Sequence, residues 1–239
     1  MLSAKKYMRR RKGLLSGILF VLVPLTIFAG VVFLDDRKYY FISFLLIAYA
    51  MIPFFAAFEK RKPRASELLL VAVLTAIAVA GRAAFFMLPQ MKPVVAIVII
   101  AALCFGRETG FLTGALTAFV SNFFFGQGPF VPWQMFAMGL IGYLAGVLAE
   151  KGLLKKTGRA AAVFGGLSVF LLYGSIMDLC AVVMWTRDIT WELVAATFAA
   201  GLLFNLVHAG ATVLFLLLLT RPLCEKLERV KVKYGLFSE

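Results

Sequence analysis

Arg82, Asn122, Gln134 and Asp178 stand out in this 239-residue sequence because the residues around them are apolar. A charged side chain at the centre of a bilayer costs about 3 kcal/mol or more, so such residues turn toward a partner, a bundle interior or a wet cavity. Arg82 lies about sixteen residues into one apolar run. Asp178 lies about eighteen residues into another that runs the same way, so at ~1.5 Å per residue the two reach similar depth. That permits an ion pair, and two readings of it stay open: a pair that only fixes packing, or a pair that contacts a substrate. Asn122 and Gln134 lie at nearly the same level and complete a polar ring. Phe130, Trp133 and Trp185 surround it, either as part of an interfacial aromatic belt or as walls of a mostly apolar pocket with a few orienting groups.

Asn122 and Gln134 flank the segment Gly126-Gln127-Gly128-Pro129-Phe130-Val131-Pro132-Trp133. Two glycines allow unusual backbone angles and two prolines fix theirs, so this is a shaped loop. It serves either to line or cap a pocket, with Gln127 as its polar member, or as a rigid connector.

Other chemistry is thinly supplied. The only histidine, His208, shares a helix face with Asn205 and reads as a packing residue. Ser121, Ser168 and Ser175 lack a nucleophile motif, so a Ser/His protease is disfavoured. Cys104, Cys180 and Cys224 have neither metal-ligand spacing nor an evident pairing and read as small packing residues. No metal site is expected. A Gly-x-x-x-x-Gly-Lys-Ser/Thr phosphate loop is absent, so the chain does not hydrolyse ATP in the ordinary way.

The elements that hold these residues are transmembrane helices. With 62% hydrophobic and 15% charged residues and a mean hydropathy of +0.94, the sequence is too apolar for a soluble domain. Spans are expected at about 14–34, 39–58, 66–88, 93–105, 108–125, 130–149, 160–185 and 191–219. The fourth is ~20 Å long against a ~30 Å hydrocarbon core, so it should tilt against neighbours or cross only part of the membrane. Basic clusters at 5–12, 60–64, Arg107, 151–159 and 221–233 alternate with the sparse set Arg37, Lys38, Lys92 and Arg187. That asymmetry puts both termini in the cytoplasm and the Gly126 loop outside. The net charge of +13 is scattered between spans instead of gathered on one face, which argues against nucleic acid.

Residues 1–64 read as a basic segment with a peripheral two-span hairpin, 65–220 as a six-span core, and 221–239 as a cytoplasmic basic tail. Small residues recur every fourth position at Ala72, Ala76 and Ala80, and again at Gly106, Gly110, Gly114 and Ala118. Such stripes let helix backbones approach closely, either inside the bundle or against a separate subunit. Gly139, Gly142 and Gly146 form a related set on one face of the sixth span.

The core resembles the substrate-binding membrane subunits, or S components, of energy-coupling factor (ECF) vitamin transporters. The resemblance covers about 66–220. It rests on Ala72, Ala76, Ala80, Gly81 and Arg82, on Phe105-Gly106 through Gly114, and on Ser121 to Pro129 followed by Pro132-Trp133-Gln134. It implies an all-α six-helix bundle in a bacterial plasma membrane that captures a vitamin at its outer face. No cofactor is then bound by this chain. The implied partners are a membrane coupling subunit, which meets the stripe Ala72, Ala76 and Ala80, and two cytoplasmic ATPases that use the ATP. In the family this subunit topples within the membrane to release its cargo inside. Among the vitamins carried on this scaffold, the outer loop looks most like cobalamin members. The rival readings are an ion-coupled secondary transporter, with Asp178 as its in-span carboxylate, and another multi-span membrane subunit.

Overall fold

The computed structural model describes residue 21, residues 23–34, residues 45 and 49, residues 65–185 and residues 190–236. The basic stretches at 5–12 and 59–64, all but two residues of the expected span at 39–58, and the Trp185 side chain lie outside the described residues. Within them the chain is helical, with no strand. Four helices are long and apolar enough to cross a membrane.

In chain order the helices are α1 (Val23–Leu34), α2 (Ala65–Ala84), α3 (Val94–Phe105), α4 (Arg107–Phe125), α5 (Val131–Glu150) and α6 (Gly158–Ser168). A π-helical segment, Val169–Gly174, joins α6 to α7 (Ser175–Trp185), and α8 (Trp191–Tyr234) follows. From α1, Ile27 is buried and belongs to the core. The expected third span ran to 88, but α2 stops at Ala84 and the chain turns through Phe85 to Gln90. Proline disfavours the helical conformation in the residue before it, and Pro89 falls where the helix would otherwise continue.

Every residue of α3 is buried. A helix that is apolar all round belongs in an interior, and α3 lies against α2, α4, α5, α6 and α8. This accounts for the short fourth span: its twelve residues are enclosed by protein and need not match the bilayer thickness. Gly106, at φ 92°, reverses the chain directly into α4, a backbone angle that favours glycine.

The glycine stripe of α4 is used inside the bundle. A Cβ on Gly110 would come within 2.6 Å of the Gly142 carbonyl oxygen, and one on Gly114 within 2.5 Å of that of Met138. The backbones of α4 and α5 therefore touch, as small-residue faces permit. The alanine stripe of α2 is different: Ala72, Ala76 and Ala80 stay exposed.

The two ends of the bundle differ chemically. Near the start of α4, Arg107 meets Glu150 at 3.5 Å, and Lys156 meets Glu228 at 2.6 Å. There too Cys104 and Cys224 lie in contact, Sγ to Sγ 3.4 Å, a proximity across 120 residues that their sequence spacing gave no reason to expect. Helix α8 does not break at 220. It continues through Pro222 to Tyr234, and Gly235 closes it in the left-handed conformation with Leu236 N–H donating to the Lys231 carbonyl. At 44 residues, ~66 Å, α8 far exceeds a bilayer core.

Candidate functional site

At the opposite end, a cavity of about 340 Å³ opens between α2, α5, α7, α8 and the connector before α3. Each wall residue arrives there for a local reason. Arg82 occupies the last turn of α2, where a cation suits the helix dipole. Its guanidinium donates to Ser121 Oγ and, at 2.9 Å, to Asn122 Oδ1, and its Cζ lies 4.9 Å from the centre of the Phe125 ring. Asn122, 1% exposed, donates in turn to Gln134 Oε1 at 2.7 Å, and Gln134 Nε2 donates to the Tyr173 hydroxyl at 2.9 Å.

These bonds form one chain across four elements. Because each amide is held at both its oxygen and its nitrogen, the order of donors and acceptors is fixed and the wall presents a defined polar pattern. Tyr173 is carried by the π-helical segment. Such segments favour functional sites, because the wider turn re-aims side chains within an otherwise regular helix. Its ring meets His208 edge to face, with centroids 4.8 Å apart.

Asp178 lines the far wall and accepts from Asn205 Nδ2 at 2.8 Å. Gly201 makes room for it, since a Cβ there would sit 2.3 Å from Asp178 Oδ1. Arg82 and Asp178 thus share the cavity, but among the described residues no ion pair joins them; each is satisfied by an uncharged partner instead. The ion pair that their similar depth permits is not formed. Matching depth did not bring contact, because amides from α4 and α8 occupy the bonding positions.

Of the residues singled out in the sequence, Arg82, Gln134 and Asp178 line the cavity and Asn122 supports two of its wall groups from behind. Gln127, Phe130 and Trp133 do not reach it. Gln127 Nε2 donates to the Phe119 carbonyl at 3.3 Å, the Phe130 ring covers Gly128, and Phe130 and Trp133 pack on the core. The contacts of these three side chains are with the loop itself and the core. Residues the sequence left aside also line the cavity: Gln90, Lys92, Tyr173, Asn205 and His208. Asn205 and His208 had a shared helix face as their signal; Tyr173 had none, since nothing in its apolar neighbourhood marks a π-helical turn. Ser121, weighed only as a nominal nucleophile, is a partner of Arg82.

A second concavity, an apolar groove of about 610 Å³, runs along α2 and α4. The stripe Ala72, Ala76 and Ala80 forms one side and Leu116, Val120 and Phe124 the other. Among the described residues its one buried polar group without a hydrogen-bond partner is the Thr75 hydroxyl. Phe125, beneath the Arg82 guanidinium, also lines it, so this contact is the partition between cavity and groove.

A family model described as ECF-type riboflavin transporter, S component, matches residues 64–224, well over half of the chain and all of α2 through most of α8. Comparison with curated proteins and with solved structures gave no match. The matched region is the bundle that holds both the cavity and the groove, and the chain belongs to the family of ECF-type riboflavin transporter S components.

Proposed function

We propose that this chain captures a vitamin-sized molecule in the cavity beside Arg82 and delivers it as the substrate-specific subunit of an ATP-driven importer. The observation that carries this reading is the continuous hydrogen-bond chain from Arg82 through Asn122 and Gln134 to Tyr173. It holds orienting polar groups rigid at the wall of a small cavity in an apolar bundle, the general form of a small-molecule site. The Lys/Arg asymmetry supports an outward-facing cavity with both termini inside.

The family name points to riboflavin, and the cavity volume favours a cargo of that size. Cobalamin, the first expectation from the outer loop, carries a corrin ring and a nucleotide arm whose bulk is several times that of a flavin ring system. A cavity of about 340 Å³ favours the smaller of the two cargoes. Cargo would enter beside Arg82, and the apolar groove would receive a helix of a membrane coupling subunit. Two cytoplasmic ATPases would then supply the energy. The alanines of the groove support close helix approach, which association within lipid requires.

Fluorescence titration of the purified protein tests the cargo site. Saturable quenching of riboflavin is expected, weakened in Asn122→Ala and Gln134→Ala, with no competition from cobalamin. Absence of riboflavin binding, or equal affinity in both amide variants, would overturn the assignment.

A further inference from the structure

We infer that Cys104 and Cys224 form a modification site, at which a hydroperoxide joins them in a reversible disulfide that staples α8 to the buried helix α3. This does not depend on the cargo site, which lies at the other end of the bundle.

The two thiols touch without being bonded. Cys104 Sγ lies 3.4 Å from Cys224 Sγ, and both cysteines are free. A disulfide holds its sulfurs ~2.05 Å apart, so about 1.4 Å remains to be closed. Both helices can give at this point. Cys104 occupies the last turn of α3, one residue before its end, and Gly106 then turns the chain away. Cys224 follows two residues after Pro222, which has no N–H to bond the preceding turn of α8.

The surroundings divide the work between the sulfurs. Cys224 is 8% exposed and Cys104 2%, so a small oxidant reaches Cys224 first. The hydrogen bond that Cys104 donates to it, and then the Lys156 ammonium, hold the Cys224 thiol below its usual pKa against the opposing effects of burial and the Glu228 carboxylate. Lys231 Nζ donates to the Cys104 carbonyl at 3.4 Å and brings a second cation to the pair. Thiols with a lowered pKa beside cations are the reactive ones. Cys180 provides an internal contrast: it lies in α7 and donates to Met184 Sδ at 3.3 Å.

The Cys224 thiolate attacks one oxygen of the peroxide, the O–O bond breaks, and a sulfenic acid forms as the other oxygen leaves and takes up a proton. The Cys104 sulfur then attacks the sulfenic sulfur; the S–S bond forms, the S–O bond breaks, and water leaves with the Cys104 proton. Two thiols are thereby oxidised and one peroxide reduced, to two waters when the oxidant is hydrogen peroxide. A dithiol reductant reverses the link by exchange and ends as a disulfide itself. The Lys/Arg asymmetry places this end of the bundle inside the cell, where disulfides that form are characteristically transient and redox-sensing. The link spans 120 residues, and closing so long a loop constrains the unfolded chain strongly.

The test treats the purified full chain in nanodiscs with hydrogen peroxide, quenches with catalase, and labels the denatured protein with N-ethylmaleimide for mass spectrometry. Untreated protein should take a label on each of Cys104, Cys180 and Cys224. Treated protein should keep only the Cys180 label, yield a peptide linking Cys104 to Cys224, and melt about 5 °C or more higher. Dithiothreitol should reverse all three changes. In Cys104→Ser, Cys224 should stop at a sulfenic acid that dimedone traps; in Cys224→Ser, loss of the Cys104 thiol should slow by about 10-fold or more. Melting curves identify variants that still fold, with Cys104→Ala and Cys224→Ala as second replacements. Full labelling after peroxide, disulfides only between separate chains, a link that leaves the melting temperature unmoved, or loss of the Cys104 thiol at one rate with and without Cys224 would overturn the inference.

Discussion

The cavity and the groove share a wall and differ in almost everything else. On the cavity side, Arg82, Asn122, Gln134 and Tyr173 are bonded in a fixed order, and Asn205 separately donates to Asp178. On the groove side there are methyl groups, phenyl rings and one unpartnered hydroxyl. The Arg82–Phe125 contact lies between them. Directional bonds fix how a small molecule is oriented, whereas small side chains fix how near another helix can come. Damage to the groove should therefore be steric and close to all-or-none. Damage to the cavity should be graded, roughly one hydrogen bond at a time.

The largest effect is expected from Ala76→Trp. Ala76 is exposed in the middle of the groove, and an indole there would fill the space that close helix approach needs. Assembly with the coupling subunit, measured by co-purification in detergent, should drop by about 100-fold or more, equivalent to losing the close contact altogether. Cargo affinity should hold. Assembly at the ordinary level would remove the groove from any docking role and erase the contrast drawn above.

Asn122→Ala is expected to come next. The substitution strips an acceptor from Arg82 and a donor from Gln134, both at a buried position. Leaving buried polar groups unpaired costs about 1–3 kcal/mol, or about 5- to 150-fold in affinity if the cost falls on the bound state. Titration beside a melting curve separates weaker binding from poorer folding. Undiminished affinity in folded protein would mean that the wall of the cavity is not an ordered recognition surface.

The sequence disclosed the helices better than it disclosed the contacts between them. Apolar runs and charge clusters located α2 through α7 and the start of α8 to within a few residues, because lipid imposes length and composition on each run separately, whereas the end of α8 lies fifteen residues beyond the expected 219. Whether a small-residue stripe faces inward or outward is a property of the assembled bundle. Gly110 and Gly114 are consumed by α5 while Ala72 and Ala76 are left open, although both stripes look alike in one dimension. Arg82, Asn122, Gln134 and Asp178 were legible because polar groups in apolar runs are conspicuous. Tyr173 and Lys92 were not, since one depends on a π-helical turn and the other on a connector folded against Gly81. Aromatic and conformational distinctiveness drew attention to Phe130, Trp133 and Gln127, and in the structure that distinctiveness serves the loop itself.

Tyr173→Phe sharpens the graded side of the comparison. It keeps the ring that meets His208 edge to face and deletes only the hydroxyl that accepts from Gln134. One neutral hydrogen bond is worth about 1 kcal/mol, so cargo should bind about 5-fold more weakly, a smaller loss than in Asn122→Ala because one contact is removed instead of two. An effect as large as that of Asn122→Ala would show that Tyr173 touches the cargo directly.

The smallest effect is expected from Thr75→Val, and it tests the groove in the opposite sense. Threonine within a helix commonly donates to the carbonyl four residues back, as Thr117, Thr197 and Thr212 do here. Thr75 does not: its hydroxyl is buried beside the apolar groove and has no partner among the described residues. Valine preserves the branched shape and removes that unsatisfied group, so the isolated subunit should gain about 1 kcal/mol of stability, visible as a higher melting temperature. If a helix of the coupling subunit supplies a carbonyl to the hydroxyl, the same variant should assemble a few-fold more weakly, by about the worth of one hydrogen bond. Greater stability with weaker assembly would make Thr75 the one polar reader in an otherwise steric surface. Greater stability with unchanged assembly would leave the groove recognised by shape alone, and no gain in stability would mean that the hydroxyl is already satisfied in the isolated subunit.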